Sequence, residues 1–211
     1  MCKRRALLES IHLVALAIWL AMLATAAIGA SLVFPAMRAA HASVPDYPAY
    51  PAEAWRLAGG LAASPIFFFT AKVQSWCGLV AALSFLGALT RGVRLRSPIG
   101  AARLVLLLVG CATLTYYTHS YIPTMHSQLD LLLAASADPA RAEEAKAAQG
   151  VFDNAHTLGS PLISTMGLAI LAAMALVPLS MRSAACDATS STMNTATNAR
   201  TASSRSNHGN A

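Results

Sequence analysis

"IHLVALAIWLAMLATAAIGASLVF", residues 11–34, contains no charged side chain. A helix needs about 20 apolar residues to cross roughly 30 Å of hydrocarbon. Inside hydrocarbon no water is present to bond the backbone, so such a run must be helical. Residues 73–90, 104–123 and 157–181 share the property. The whole chain agrees: it is 56% hydrophobic and only 11% charged, whereas a soluble domain carries about a quarter charged residues. This predicts an all-α integral membrane four-helix bundle. Its spans fall at about 8–34, 65–90, 102–124 and 155–181, inside one membrane domain covering residues 1–181.

Charge sets the expected orientation. Lys3, Arg4 and Arg5 precede the first span, Arg91, Arg94, Arg96 and Arg103 surround the second link, and Arg182, Arg200 and Arg205 follow the fourth span. Four crossings put all of these on one side. The other side receives Asp46, Glu53, Asp130, Asp138, Glu143, Glu144 and Asp153. The positive-inside rule then makes both termini cytoplasmic, in a cell inner (plasma) membrane. The net charge of +6 is accounted for by inner-face anchoring and calls for no nucleic acid. The start of the chain also has the look of a signal peptide, with small-residue cleavage candidates near Ala27 or Ala30. Its uncharged run continues to Phe34, longer than the usual apolar middle of such a segment, which favours a retained span.

Local signals refine this layout. Pro35 is expected to stop the first helix or kink its exit, and Ser64 with Pro65 to cap and open the second. Between them Pro45, Pro48 and Pro51 alternate with Tyr47, Tyr50 and Trp55. That spacing suggests an extended link laying rings on the outer headgroups. Lys72 falls about two turns inside the second span, where a lysine can snorkel outward. Gly159 with Pro161 is expected to kink the fourth span near its entry. Trp19 at mid-span reads as a packing residue, and Ala24, Ala27 and Ser31 as small residues for close helix contact. Cys77 and Cys111 read as small apolar residues within spans. From residue 182 to 211 the composition is polar and aperiodic, the pattern of a disordered cytoplasmic tail.

Chemistry is harder to find. No phosphate loop, nucleophile elbow or Cys-x-x-Cys pair occurs, which argues against familiar soluble enzyme chemistries. The stretch "THSYIPTMHSQLD", residues 118–130, leaves the third span with His119, His126 and Asp130 at helical steps, Tyr116 beside them. The fourth span enters from the same side with Asp153 and His156. These residues admit two readings. His119 and His156, aided by His126, Asp130 or Asp153, hold a haem or transition metal between the two spans, since imidazole and carboxylate suit such ions. Alternatively all five are interfacial residues bonding neighbours or water. His12, at the inner end of span one, is expected to lie too far away to join them. The spans contain no fully embedded Asp or Glu beyond their ends, so a transport site is not evident either.

Several segments together resemble the transmembrane protein 205-like family, a four-span domain of unknown function. They are "IHLVALAIWLAMLATAAIGASLVFPAMR", "SPIFFFTAKVQSW", "SYIPTMHSQ" and "VFDNAHTLGSPL". The matching positions are His12, Trp19, Pro35, Arg38, Pro123, Phe152 and His156, while Leu20 and Ile163 depart from the family pattern. The resemblance implies a four-helix membrane protein without established enzymatic activity, one animal member being associated with drug resistance. The expected role is a non-enzymatic membrane component. Haem or metal binding, and small-solute, metal or drug transport or resistance, are the alternatives. Its partners are the lipid bilayer and a second copy or another membrane protein.

Overall fold

The computed structural model describes residues 2–91, 95 and 97–180. The expected tail, 182–211, lies outside the described residues. Every regular element among them is helical: α1 (Cys2–Ala39), α2 (Ala54–Leu89), α3 (Pro98–Tyr116), a π-helical turn (Tyr117–Tyr121), α4 (Ile122–Ser136), a 3₁₀ turn (Pro139–Arg141), α5 (Ala142–His156) and α6 (159–180). They assemble into four segments long and apolar enough to cross a membrane: Arg4–Ala39, Ala54–Leu89, Pro98–Ser136 and Pro139–Ser180.

Each segment outruns its expected span, and the prolines explain how. Pro35 does not stop α1, which continues to Ala39. Neither do Ser64 and Pro65 open α2, which begins ten residues earlier at Ala54. The first turns of α2 are helical because they pack: Leu57, Gly59 and Ala63 are buried, and Gly59 lies where a Cβ would come within 2.7 Å of the Phe34 ring. Ser64 instead donates back to the Gly60 carbonyl at 2.8 Å. The link before α2 is not extended. Tyr47 N–H bonds the Val44 carbonyl and Tyr50 N–H that of Tyr47, both at 3.1 Å. The proline repeat thus makes two successive β-turns with Pro45 and Pro48 in the second position, where a fixed φ is favourable. Ala49 N–H then bonds the Ser136 carbonyl at 3.0 Å, docking the link on the end of α4.

Pro123 shapes the third segment. It has no N–H to give to residue 119, and in a regular helix its ring would press on that carbonyl. The chain widens instead: the N–H of Ile122 reaches back five residues to the Tyr117 carbonyl. Such a wide turn adds a residue to the helix, so the 3.6-residue register does not carry from His119 to His126. The fourth segment is interrupted at residues 157–158, just ahead of Gly159 and Pro161. Gly159 lets Tyr121 approach closely there, since a Cβ would meet its hydroxyl at 2.5 Å.

All four segments share one core. Leu16, Trp19 and Leu23 of α1 meet Cys77, Ala81 and Phe85 of α2, Leu107 and Leu114 of α3, and Met166, Ile170 and Ala173 of α6. Trp19 is wholly buried. Glycines make room for its indole, with Gly78 on one side and Gly110 on another, Cβ positions that would lie 3.4 and 3.7 Å from the ring. Ala24, Ala27 and Ser31, by contrast, are exposed. Intramolecular packing of α1 uses the face bearing Leu16, Trp19, Leu23 and Ala26. In each apolar segment no more than 33% of residues of its most apolar window are buried. Ile18, Leu32, Leu83, Leu108 and Leu168 point outward, an arrangement that water penalises and lipid solvates.

Adding a methyl at Gly78, 3.0 Å from Leu114 Cδ2, overpacks this core. Gly78→Ala is expected to lower stability by about 1–3 kcal/mol, and Gly60→Ala, whose Cβ meets nothing within 4 Å, to leave it unchanged or raise it. Unfolding of both variants in detergent checks the contrast.

Candidate functional site

Glu9 and His12 stand three residues apart on α1, hence on one face, and both are 1% exposed. Arg103, also 1% exposed, comes from the second turn of α3. Its position follows from the sequence: Ser97 caps α3 by accepting from Gly100 N–H at 3.1 Å, and Pro98 opens the first turn. Ser180 is supplied by α6 and Phe85 by α2.

The Arg103 guanidinium grips Glu9 with two hydrogen bonds, Nη1 to Oε1 at 3.1 Å and Nη2 to Oε2 at 2.6 Å. This fork geometry is the strong form of the contact. Nη1 also donates to Ser180 Oγ at 2.8 Å, and that hydroxyl passes its own proton to the Val177 carbonyl at 2.8 Å. Arg103 Nε has no hydrogen-bond partner among the described residues, but the guanidinium lies 5.2 Å from the centre of the Phe85 ring, whose π face attracts a cation. Beside it, His12 Nδ1 lies 2.9 Å from the Ala81 carbonyl. A carbonyl only accepts, so this nitrogen carries the proton. The His12 ring is tilted against Phe85 at 5.5 Å.

The cluster joins four helices through a charge-neutral pair. Desolvating two ions is costly, and the geometry offsets that cost only while both partners are present. The carboxylate's two oxygens are occupied by Arg103, so the arrangement acts as a polar clasp drawing α1, α3 and α6 together.

The histidines singled out from sequence lie elsewhere. His119, in the π-helical turn, is exposed, and its Nδ1 lies 2.9 Å from Thr118 Oγ1 and 3.2 Å from the Thr115 carbonyl. His126 is half-buried and stacks on Phe68 of α2 at 4.6 Å. His156 is exposed, stacked on Phe152 at 5.9 Å. Asp130 is exposed, and Asp153 accepts from Gln149 Nε2 at 2.8 Å. The expected single stripe is interrupted by the π-helical turn. Among the described residues no three His, Cys, Asp or Glu side chains gather as a metal-holding group. The two helices do meet at this level: the Tyr121 hydroxyl donates to the His156 carbonyl at 3.4 Å. Of the other positions, Arg38 lies over the Trp55 ring at 5.6 Å, while His12, away from His119 and His156 as expected, joins the buried clasp.

Glu9, Arg103 and Ser180 were legible only as residues at the ends of spans. The available signal was a lone acid at the start of one apolar run and a lone base at the start of another on the same side, a pair able to neutralise each other. Comparison with protein-family models, curated proteins and solved structures finds no significant match.

Removing one partner leaves a buried charge. Glu9→Gln and Arg103→Met are each expected to cost about 3–5 kcal/mol, and the double variant Glu9→Gln/Arg103→Met much less than their sum. A double-mutant cycle by unfolding in detergent measures the coupling, and additive losses contradict the clasp.

Proposed function

We propose that this chain is a four-helix bundle of the inner (plasma) membrane with both termini on the cytoplasmic side, serving as a non-enzymatic membrane component similar to the transmembrane protein 205-like proteins. The observation that carries the reading is an inversion of polarity. The Glu9–Arg103 pair is sealed inside at 1% exposure, while Leu7, Val14, Leu83, Val105 and Leu171 are more than half exposed. A protein folded in water arranges these classes the other way round.

Orientation is supported by the basic residues of the whole sequence. Lys3, Arg4, Arg5, Arg91, Arg94, Arg96, Arg182, Arg200 and Arg205 precede the first span, fall between the second and third or follow the fourth. Against them stand Arg38, Arg56, Arg141 and Lys146 at the opposite, more acidic end, which also holds Asp46, Glu53, Asp138, Glu143 and Glu144. The π-helical turn and the break at residues 157–158 sit toward that acidic end. A component role is favoured by the clasp itself, whose carboxylate is consumed by a structural pairing rather than presented to a cavity.

Reporter fusions test the layout. A cytoplasm-active reporter is expected to work at either terminus, and an exterior-active one only when inserted in the link at residues 42–52. The protein is expected to resist alkaline extraction. Activity of the exterior reporter at a terminus rejects the orientation, and release by alkali rejects the membrane reading.

A further inference from the structure

Lys72 is exposed on α2, and the described residues offer it no ion pair or hydrogen bond. Its depth follows from the antiparallel contacts of α1 and α2. Gly78 meets Trp19, and Gly29 meets Ile66, so Lys72, midway between Gly78 and Ile66, stands level with Ala24. Ala24 is about 22 Å along the helix from Glu9 and about 21 Å from Arg38, the charges that bracket the apolar stretch of α1. On the membrane reading given above, on which this inference rests, that is the middle of the bilayer. The hydrocarbon boundary is then roughly 15 Å away in either direction. The four-carbon stem of a lysine covers less than half of that, so snorkelling does not reach water. Intramembrane cations ordinarily find a charged partner or a water-filled cavity, and the surroundings of Lys72 are Phe69, Trp76 and Leu79 on the open side of the helix.

Those surroundings form a pattern. Phe69, Lys72, Trp76, Leu79, Leu83 and Leu86 succeed one another at steps of three and four. The five apolar members are 64%, 69%, 48%, 59% and 58% exposed. This is the spacing by which one helix receives the side chains of another, carried by a face that none of the described residues covers. We propose that this stripe docks a transmembrane helix of a different protein, one carrying an Asp or Glu at mid-bilayer depth whose carboxylate pairs with Lys72. A second copy does not supply that group. Glu9 is committed to Arg103, and the remaining acids, Asp46, Glu53, Asp130, Asp138, Glu143, Glu144, Asp153 and Asp187, all lie outside the four uncharged runs. Two copies joined symmetrically through this face would also set Lys72 against Lys72.

The test uses the full chain, donor-labelled, in phosphatidylcholine vesicles with an acceptor-labelled synthetic Leu/Ala transmembrane helix bearing one central Asp. Energy transfer is expected to report association about tenfold tighter than for the same helix with central Leu or with Asp moved two turns toward one end. Lys72→Met is expected to abolish the difference and Lys72→Arg to keep it. Association indifferent to the Asp, to its depth or to Lys72→Met overturns the proposal, as does self-association that depends on Lys72. Vesicle flotation separates the two levels: failure of the chain to float with lipid rejects the membrane reading, whereas a floating chain without Asp-dependent transfer rejects only the docking face.

Discussion

Buried charge in a low-dielectric interior must be neutralised where it lies, and the rest of this architecture is arranged around that constraint. Glu9 and Arg103 are 94 residues apart in sequence, yet each is sealed from solvent and bonded to the other. The fork geometry dictates the approach of α1 and α3 because both carboxylate oxygens are used. Ser180 extends the same requirement to α6, and Phe85 supplies the π face over which the cation rests. His12 closes the group by tying α1 to the Ala81 carbonyl of α2. A polar network of this kind fixes helix rotation and register, which the apolar contacts around it leave comparatively free.

Above the clasp, packing takes over from electrostatics. Trp19 fills the centre of the core, and glycines at 78 and 110 allow neighbouring helices to approach its ring. On the proposed membrane reading no hydrophobic force drives the helices together, so shape complementarity of this sort supplies the attraction. At the acidic end the backbone becomes irregular. Pro123 is accommodated by a π-helical turn, and the break at residues 157–158 is matched to Tyr121, whose hydroxyl bonds the His156 carbonyl and rests on Gly159. The two irregularities support one another, since the wide turn presents Tyr121 where the broken segment offers the His156 carbonyl and a residue with no Cβ.

The outer surface divides into a lipid-compatible majority and one anomalous face. Most exposed residues on α1, α3 and α6 are aliphatic. On α2 the exposed stripe combines two large aromatic rings with a lysine that none of the described residues pairs, a combination that lipid tails do not satisfy. Among the described residues the inside thus balances its charges, whereas the outside of α2 leaves one unbalanced.

The helical class and the four segments long and apolar enough to cross a membrane were legible in the sequence, because an uncharged run of about 18 residues or more has few physical alternatives. Trp19 as a packing residue was legible too, from its mid-span position. Local signals misled where tertiary contact outweighed them. Ser64 and Pro65 look like a helix start, but burial against Phe34 carries α2 ten residues further. The proline repeat looks extended, but Pro45 and Pro48 each suit a turn that folds the link onto Ser136. The His119–His126–Asp130 stripe assumed a constant 3.6-residue period, and a five-residue backbone bond at Pro123 breaks it. Above all, Arg103 reads as one more basic residue beside a link, and nothing local marks Glu9 as its partner. Sequence alone determined that this chain is built of apolar helices, because hydropathy is a local property. Only the tertiary structure decided which charges meet inside and which lysine is left facing out, because pairing depends on the relative rotation of helices, and no single segment encodes that.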